Sequence, residues 1–576
     1  MKKGFTLIEL LAVILILGII ALIAIPTVNK ILNEAREGAF RTTSDNVMKA
    51  MEQACQTELI KGIAPTLTYT FSDGKSNSNL ELKGTMPDDG YVFLDRECSV
   101  TDYYLKDQNY VYSNGEDIRK DYMLQAPTEE ETSIFKTLYP TYYDNISSVS
   151  FIDNLNIPEG AIEIKNPSMS DKNKIKSWLI QNGSNYDLYV GSEGVIYANY
   201  DSSYILSGLT IATTINLSNF NTSFTKNMNG MFLKAKSITN LDISNLNSSN
   251  VTNMAYMFSE CLKLLSLNVS HLDTTNVNTM DHMFNGCKAL ENLIGSHNLV
   301  NSKVEDIFCM FYQCVNLKTI DSSNWDTRNI VKMTSAFMYC KKLINLDSSN
   351  WNTSKVTSMR NLFNQCNEIK KIDVSKWDTS NVTDMSEMFS NCRQLVELDV
   401  SKWNTNNLSS LKNMFLWCSS LTSIDVSNFN TSAVTNMAFI FTNCHNLEEI
   451  DVSRWDTSNV TTMNSLFYDC NMLETIDLSN WNTSSVTDLS YMFYGCDFLE
   501  TIDLSNWNID GVTNMVDIFV DCNNLNNLKL ANINVSNKID DYLPTRTEAS
   551  PGLLTIIGDK TGLDATTLNN KYWNVA

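Results

Sequence analysis

Histidine is scarce in this chain, with four residues in 576: His271, His282, His297 and His445. They lack the short mutual spacing that a zinc site requires. No G-x-S-x-G, H-E-x-x-H or phosphate-binding glycine loop occurs. The sequence therefore gives no reason to expect a catalytic residue, a metal site or a cofactor. Basic charge is also in deficit, at 43 Lys and Arg against 65 Asp and Glu, a formal net charge of −22. Phosphate backbones and anionic membrane surfaces both call for a basic face, so neither is an expected partner. A hydrophobic C-terminal tail and a sortase-like L-P-x-T-G motif are missing too. The N-terminus is then the sole expected anchor.

What remains is the composition of folded material, 43 % hydrophobic and 19 % charged. The length exceeds what one core usually supports, so two or more structural units are expected.

The first residues read MKKG and then FTLIELLAVILILGIIALIAIP. Phe5 to Ile25 is an apolar run with one ionisable side chain, Glu9. At 1.5 Å per residue it spans about 30 Å, the hydrocarbon thickness of a bilayer. Lys2 and Lys3 precede it and should stay cytoplasmic, which leaves the bulk of the chain outside. A secretory signal peptide would have a shorter apolar core and a small-residue cleavage site beyond it. A carboxylate at membrane depth is costly and usually paired. Were MKKG removed after Gly4, Phe5 would carry a free cationic amine, and that amine could neutralise Glu9 of a neighbouring subunit. Beyond Pro26 a helical stripe continues through Val28, Ile31, Leu32, Ala35, Ala39, Val47, Ala50, Met51 and Ala54. A helix from Phe5 to about Ile60 would measure roughly 80 Å.

G-F-T-L-I-E, followed by the apolar run and Pro26, resembles the processing site of type IV pilins and pseudopilins. The resemblance implies that a prepilin peptidase cuts between Gly4 and Phe5 and methylates Phe5. It also implies that Glu9 guides assembly with other pilin subunits.

Residues 62 to about 130 contain LTYTF, GYVFLD, YYLKD and YVYS between turn residues, a small antiparallel sheet by pattern. This is the β head expected on a pilin spine. Cys55 and Cys98 are the only cysteines of this region. Outside the cell they either form one bridge or remain two thiols. Residues 131–208 read as strand (SVSFIDNLNIPEGAIEI), helix (IKSWLI) and hairpin (YDLYVGSEGVIYANY). Their place just before the repeats suits a cap for the first open edge.

Periodicity dominates residues 209–530. Cys261, Cys287, Cys314, Cys340, Cys366, Cys392, Cys418, Cys444, Cys470, Cys496 and Cys522 recur every 26 residues, apart from one gap of 27. Each follows a phenylalanine by three positions, and about twelve units result. In VTDMSEMFSNCRQLVELDVSKWNTNN, the residues Val382, Met385, Phe389 and Cys392 predict one face of a short helix. Leu395-x-x-Leu398-x-Val400 predicts a strand of leucine-rich-repeat type. Stacked units would join these strands in a parallel sheet roughly 55–60 Å long. One cysteine per unit on an inward face reads as a buried thiol. Their number is odd, which rules out complete pairing among them. Cys309 stands outside the series. The unit near Leu290 (ENLIGSHNLVNSKVED) carries the extra residue, and a local bulge is expected there.

The repeated text from Asp373 to Met385 resembles the 26-residue repeat of BspA-like bacterial surface proteins, a family of adhesion and host-interaction proteins. Asp321, Asp347, Asp373, Asp399, Asp425, Asp451, Asp477 and Asp503 should form an outward row. Each would either bond local Ser, Thr or Asn groups or join a strip that recognises a cationic partner. Lys376, Lys402 and Arg454 would partly screen the row. Residues 531–576 are expected to cap the far end.

The expected whole is α/β, with leader 1–4, spine helix 5–61, β head 62–130, flank 131–208, solenoid 209–530 and cap 531–576. Each 26-residue unit of the solenoid would be a short helix plus a parallel strand. The chain is read as a minor or tip pilin-like subunit on the cell membrane or pilus, whose repeats bind a host or matrix protein or glycan. The alternative is a pseudopilin of a secretion or DNA-uptake machine.

Overall fold

The computed structural model describes residues 42–58, 68–72, 75–76, 87, 89–94, 100–107, 110–113, 122–127, 132–169, 173–530, 543–545, 551–556 and 564–575. Contacts divide the chain into two units, 1–123 with 168–174, and 124–167 with 175–576. Most of the expected spine, from Phe5 to residue 41, lies outside the described residues.

In the first unit a helix covers 42–58. It buries Val47, Met51 and Cys55, four residues apart on one face. Cys55 is disulfide-bonded, while Cys98 lies outside the described residues. The segments read as strands form a five-stranded antiparallel sheet. Its strands are β1 (Thr68–Ser72), β2 (Lys75–Ser76), β3 (Asp89–Leu94), β4 (Val100–Asp107) and β5 (Tyr110–Ser113), in the order β2-β1-β3-β4-β5. Val92 and Leu94 on β3, and Tyr103 and Leu105 on β4, are buried at every second position, as a one-faced sheet requires.

The second unit opens with a flank whose sheet holds β6 (Ile146–Ile152), β7 (Ile162–Lys165), β8 (Ile175–Asn182) and β9 (Asn185–Ser192). IKSWLI is therefore a strand and not the expected helix. The turn after it explains why. Asn182 and Asn185 pair across Gly183, which takes φ 63°, so β8 and β9 close as a tight hairpin. Ser177, buried in β8, accepts the Tyr139 hydroxyl at 2.7 Å. The first coil of the repeats then adds its strand, Thr214–Asn216, in parallel to β6. Ile196–Tyr197 likewise pairs with Phe220–Asn221. The flank thus covers backbone edges that would otherwise stay open.

From there the chain winds as a solenoid, one coil per 26 residues. Two lines of parallel bridges run along it. One follows the L-x-x-L-x-L segment, as in Thr319↔Asn345, Lys371↔Glu397, Ser423↔Glu449 and Thr501↔Asn527. The other follows the residue before the inward methionine or leucine of each coil (Met333, Met359, Met385, Leu411), as in Lys332↔Ser358↔Asp384↔Ser410.

The expected short helix is absent from these coils. Met385 to Cys392 is instead a run of tight turns, with Glu387 at φ 59° and Asn391 at φ 61°. Its amides alternate between two uses. Met388, Ser390 and Cys392 bond three residues back within the coil. Met385, Glu387, Phe389 and Asn391 bond carbonyls of the next coil, Ser410, Lys412, Met414 and Leu416. An α-helix would spend its amides beyond the first turn on itself and leave those groups unable to link neighbouring coils. Two left-handed residues per coil cost roughly 1–2 kcal/mol each. The core side chains they bring together, Met385, Met388, Phe389 and Cys392, are each worth about 1.5–3 kcal/mol when fully buried if as large as Met or Phe. Burial wins.

Like side chains stack in columns through the core. The phenylalanine column from Phe232 to Phe519 has ring centroids 5.2 Å (Phe284–Phe311) to 5.9 Å (Phe389–Phe415) apart. A second column runs through Trp325, Trp351, Trp377, Trp403 and Phe429. Beyond Leu530 the sheet continues in register. Asn527–Leu530 pairs with Gly552–Ile556, which pairs with Trp573–Val575. Trp573 donates Nε1–H to Pro544, 29 residues earlier, as Trp403 does to Val374.

Candidate functional site: the exposed sheet face

The repeat text is explained almost letter by letter by bonds between coils. In D-T-S-N-V-T from Asp378 to Thr383, the Asp378 carboxylate accepts the Ser380 amide at 3.0 Å. Thr379 donates its hydroxyl forward to Asn404 at 2.9 Å. Asn381 donates its amide back to Ser354 at 2.7 Å, and Thr383 its hydroxyl back to Thr357 at 3.2 Å. Val382 is buried. These positions are spent on holding neighbouring coils together, which leaves the strand face as the surface with side chains to spare.

On that face Leu395, Leu398 and Val400 turn inward, while Glu397 and Asp399 turn out. The aspartate row is present as expected and exposed throughout. Each member is also engaged locally. Asp399 Oδ1 accepts the Ser401 hydroxyl at 2.7 Å and the Ser401 amide at 3.1 Å. Ser375 binds Asp373, and Ser453 binds Asp451, in the same way. The serine hydroxyl, then the amide, holds Asp321, Asp373, Asp399, Asp451 and Asp477 below the usual carboxylate range. Ser349, Ser427 and Ser505 bind Asp347, Asp425 and Asp503 through Oδ1. At Asp503 the second oxygen, Oδ2, meets Lys529 Nζ at 3.0 Å.

The column is longer than the row read from sequence. Asp242 belongs to it, with the Ser244 amide on its Oδ1 at 2.9 Å. Asn268 and Ile294 occupy the next two places in register, and Lys529 stands after Asp503. The signal for Asp242 was its place 26 residues before Asn268, in LDISNL.

Two shallow, open troughs lie on this face. One, of about 620 Å³, is lined by Ile424, Asp425, Glu449, Asp451, Ile476 and Asp477 among others. The other, of about 550 Å³, is lined by Lys371, Asp373, Glu397, Asp399 and Asp425 among others. Both are lined by Ser423, Ile424 and Asp425, so they adjoin on this face. At Thr475–Asp477 the chain has no strand bridge to either neighbouring coil. Ile476 is partly exposed there, whereas Ile424, Ile450 and Ile502 are buried.

The ladder cysteines, from Cys261 to Cys522, are buried free thiols. Each donates to the carbonyl of a phenylalanine in the preceding coil, as Cys392 does to Phe363 at 3.3 Å and Cys418 to Phe389 at 3.2 Å. Cys309, off the ladder, is also buried, and burial pushes its thiol up to about 12. Gly4, Phe5 and Glu9 lie outside the described residues. Among the described residues no group of three His, Cys, Asp or Glu is placed to hold a metal ion. None of the described helices is long and apolar enough to cross a membrane.

Residues 202–319, 305–423 and 409–535 match the family described as "Mycoplasma protein of unknown function, DUF285". Together these stretches cover more than half of the chain. It belongs to the DUF285 family. Residues 1–25 match the prokaryotic N-terminal methylation motif. The chain is therefore a fusion of that motif to DUF285 repeats of the BspA-like kind, and the motif implies processing by a prepilin peptidase. A solved structure described as the functional domain of InlJ from Listeria monocytogenes, which includes a cysteine ladder, is similar at 14% sequence identity. The match covers 59% of this chain and 68% of that one, with a TM-score of 0.18. No curated protein matches.

Proposed function

We propose that this chain is a surface-displayed, pilin-like subunit, minor or at a filament tip, whose DUF285 solenoid is an adhesive domain and not an enzyme. One observation carries the reading. A methylation motif at residues 1–25 precedes a repeat domain whose strand face carries open troughs lined by serine-tethered carboxylates. The motif supports assembly through the N-terminal segment, with Glu9 matched by the amine of Phe5. The adjoining troughs support contact with an extended surface, since they are open where a small-molecule site would be enclosed. Helices pack about 10 Å apart, and a solenoid on every subunit would crowd such a filament; this supports a minor or tip position. A pseudopilin would share the motif but would have no need for so long a display domain.

The test is cell fractionation with filament shearing. The wild-type chain is expected in the sheared fraction at sub-stoichiometric amount, and Glu9→Ala should be lost from it while remaining in the membrane. Dispersed wild-type monomers in the membrane, with none in the sheared fraction, would contradict the reading.

A further inference from the structure

The sheet face changes character along its length. Between Leu317 and Trp403 basic residues slightly outnumber acidic ones, and cations sit beside the row at Lys318, Lys371, Lys376 and Lys402. Lys318 pairs with Glu291 at 2.9 Å, and Lys371 pairs with Glu397. Between Trp403 and Lys529 the chain has fifteen carboxylate side chains and two basic ones, Lys412 and Arg454. On the face itself Asp425, Glu448, Glu449, Asp451, Glu474, Asp477, Glu500 and Asp503 are all exposed. Among the described residues the one ion pair made by any of these is Lys529 with Asp503.

That pair shows how a cation meets the row. Serine holds Oδ1 of Asp503 from one side, and the Lys529 ammonium takes Oδ2 from the other. Lys529 occupies the aspartate position of the following coil. Asp425, Asp451 and Asp477 present the same serine-tethered carboxylate with no ammonium upon it. They lie one coil apart, roughly 4.8 Å per step, and line the wider trough with Glu449 and the partly exposed Ile476. Like charges so aligned repel one another, and a cationic ligand would relieve them.

We propose that the face from Asp425 to Asp477 docks an extended polypeptide bearing lysine or arginine side chains, laid across the coils with its cations on the Oδ2 atoms of Asp425, Asp451 and Asp477. Deepening the adhesin reading, the proposal names the chemistry of the partner at the same face. Long, flexible basic side chains on a strand, about 6.6–7 Å apart on one face, can reach carboxylates spaced by single coils. The partly exposed Ile476 meets their aliphatic stems. Exposed ion pairs are individually weak and screened by salt, so binding needs several contacts and declines steeply with ionic strength.

The experiment uses the full chain in detergent and a fluorescent peptide alternating lysine with serine, read by anisotropy. The probe is expected to bind at low salt. The double variant Asp451→Asn, Asp477→Asn should weaken binding about tenfold. Asparagine keeps the serine tether, as Asn268 does with Ser270 at 3.0 Å, so the fold is preserved. Lys529→Gln should tighten binding by freeing Asp503. Asp321→Asn, Asp347→Asn should leave it unchanged. Equal binding by the Asp451/Asp477 double variant and wild type would overturn the proposal, as would preference for a glutamate–serine peptide or for a cationic amino-sugar oligomer. If the peptide fails to bind while the chain still fractionates with sheared filaments, the proposal falls and the surface-subunit reading stands.

Discussion

A thiol is a weak donor, yet one per coil is held 2.9–3.3 Å from a carbonyl at the centre of this solenoid, from Cys522 at the short end to Cys261 at the long. The sulfur fills core volume, and its hydrogen gives the phenylalanine carbonyl a second partner beside the Cys amide three residues on. Burial raises these thiols from the ordinary 9.0 to about 12 at Cys261, Cys444 and Cys522, and higher elsewhere on the ladder. The folded state therefore keeps protons that the unfolded state releases. The associated stability is complete below about pH 9 and is lost as pH rises from there toward 12. Urea midpoints should accordingly fall through this alkaline window. Cys444→Ala should cost about 1–2 kcal/mol at neutral pH and flatten the alkaline slope. A slope unchanged by removing several ladder thiols would contradict this account. The inward placement of the cysteines was legible in sequence, because a fixed 26-residue interval with phenylalanine three positions ahead leaves one face for both.

At the scale of the element, the short helix was misread for a physical reason. Val382, Met385, Phe389 and Cys392 stand at i, i+3, i+7 and i+10, the signature of a helix face. Turns that alternate right- and left-handed residues put the same four side chains inward. A partial signal lay two and six residues after the Met385 position of each coil, where Gly230, Gly286, Gly495, Asn361, Asn391, Asn413, Asn443, Asp469 and Asp521 take the left-handed region, as Tyr256, Trp417 and Phe439 do in other coils. Glycine, asparagine and aspartate tolerate that region best. Strand IKSWLI was misread as well, since its burial is set by the hairpin it joins. The extra residue near Leu290 was legible, and its consequence is visible. Gly295 takes φ 80°, and a Cβ there would lie 2.4 Å from the Ser270 Cα. Gly295→Ala is expected to cost roughly 2 kcal/mol or more in urea unfolding, because backbone must move as well as strain be borne. A cost below the error of the measurement would show that the bulge is not tightly held.

At the scale of the molecule, a 26-residue coil has no core of its own, and stability passes from neighbour to neighbour. This is why the flank strand Ile146–Ile152 and the strands Gly552–Ile556 and Trp573–Val575 matter, since each extends the sheet beyond the regular repeats. The polarity of the strand face was only half legible. The aspartate row, and Lys529 one 26-residue step past Asp503, could be counted from the text, but the serine tethers and the lapse in pairing at Thr475–Asp477 depend on how the coils stack. Whatever the face binds, it works at a surface only if the chain is processed and assembled from its N-terminal segment. The most direct measurement is mass spectrometry of the N-terminal peptide of protein sheared from intact cells. The account predicts a peptide that begins at Phe5 and carries one methyl group on its amine. A peptide that begins at Met1, with Lys2, Lys3 and Gly4 retained, would contradict it.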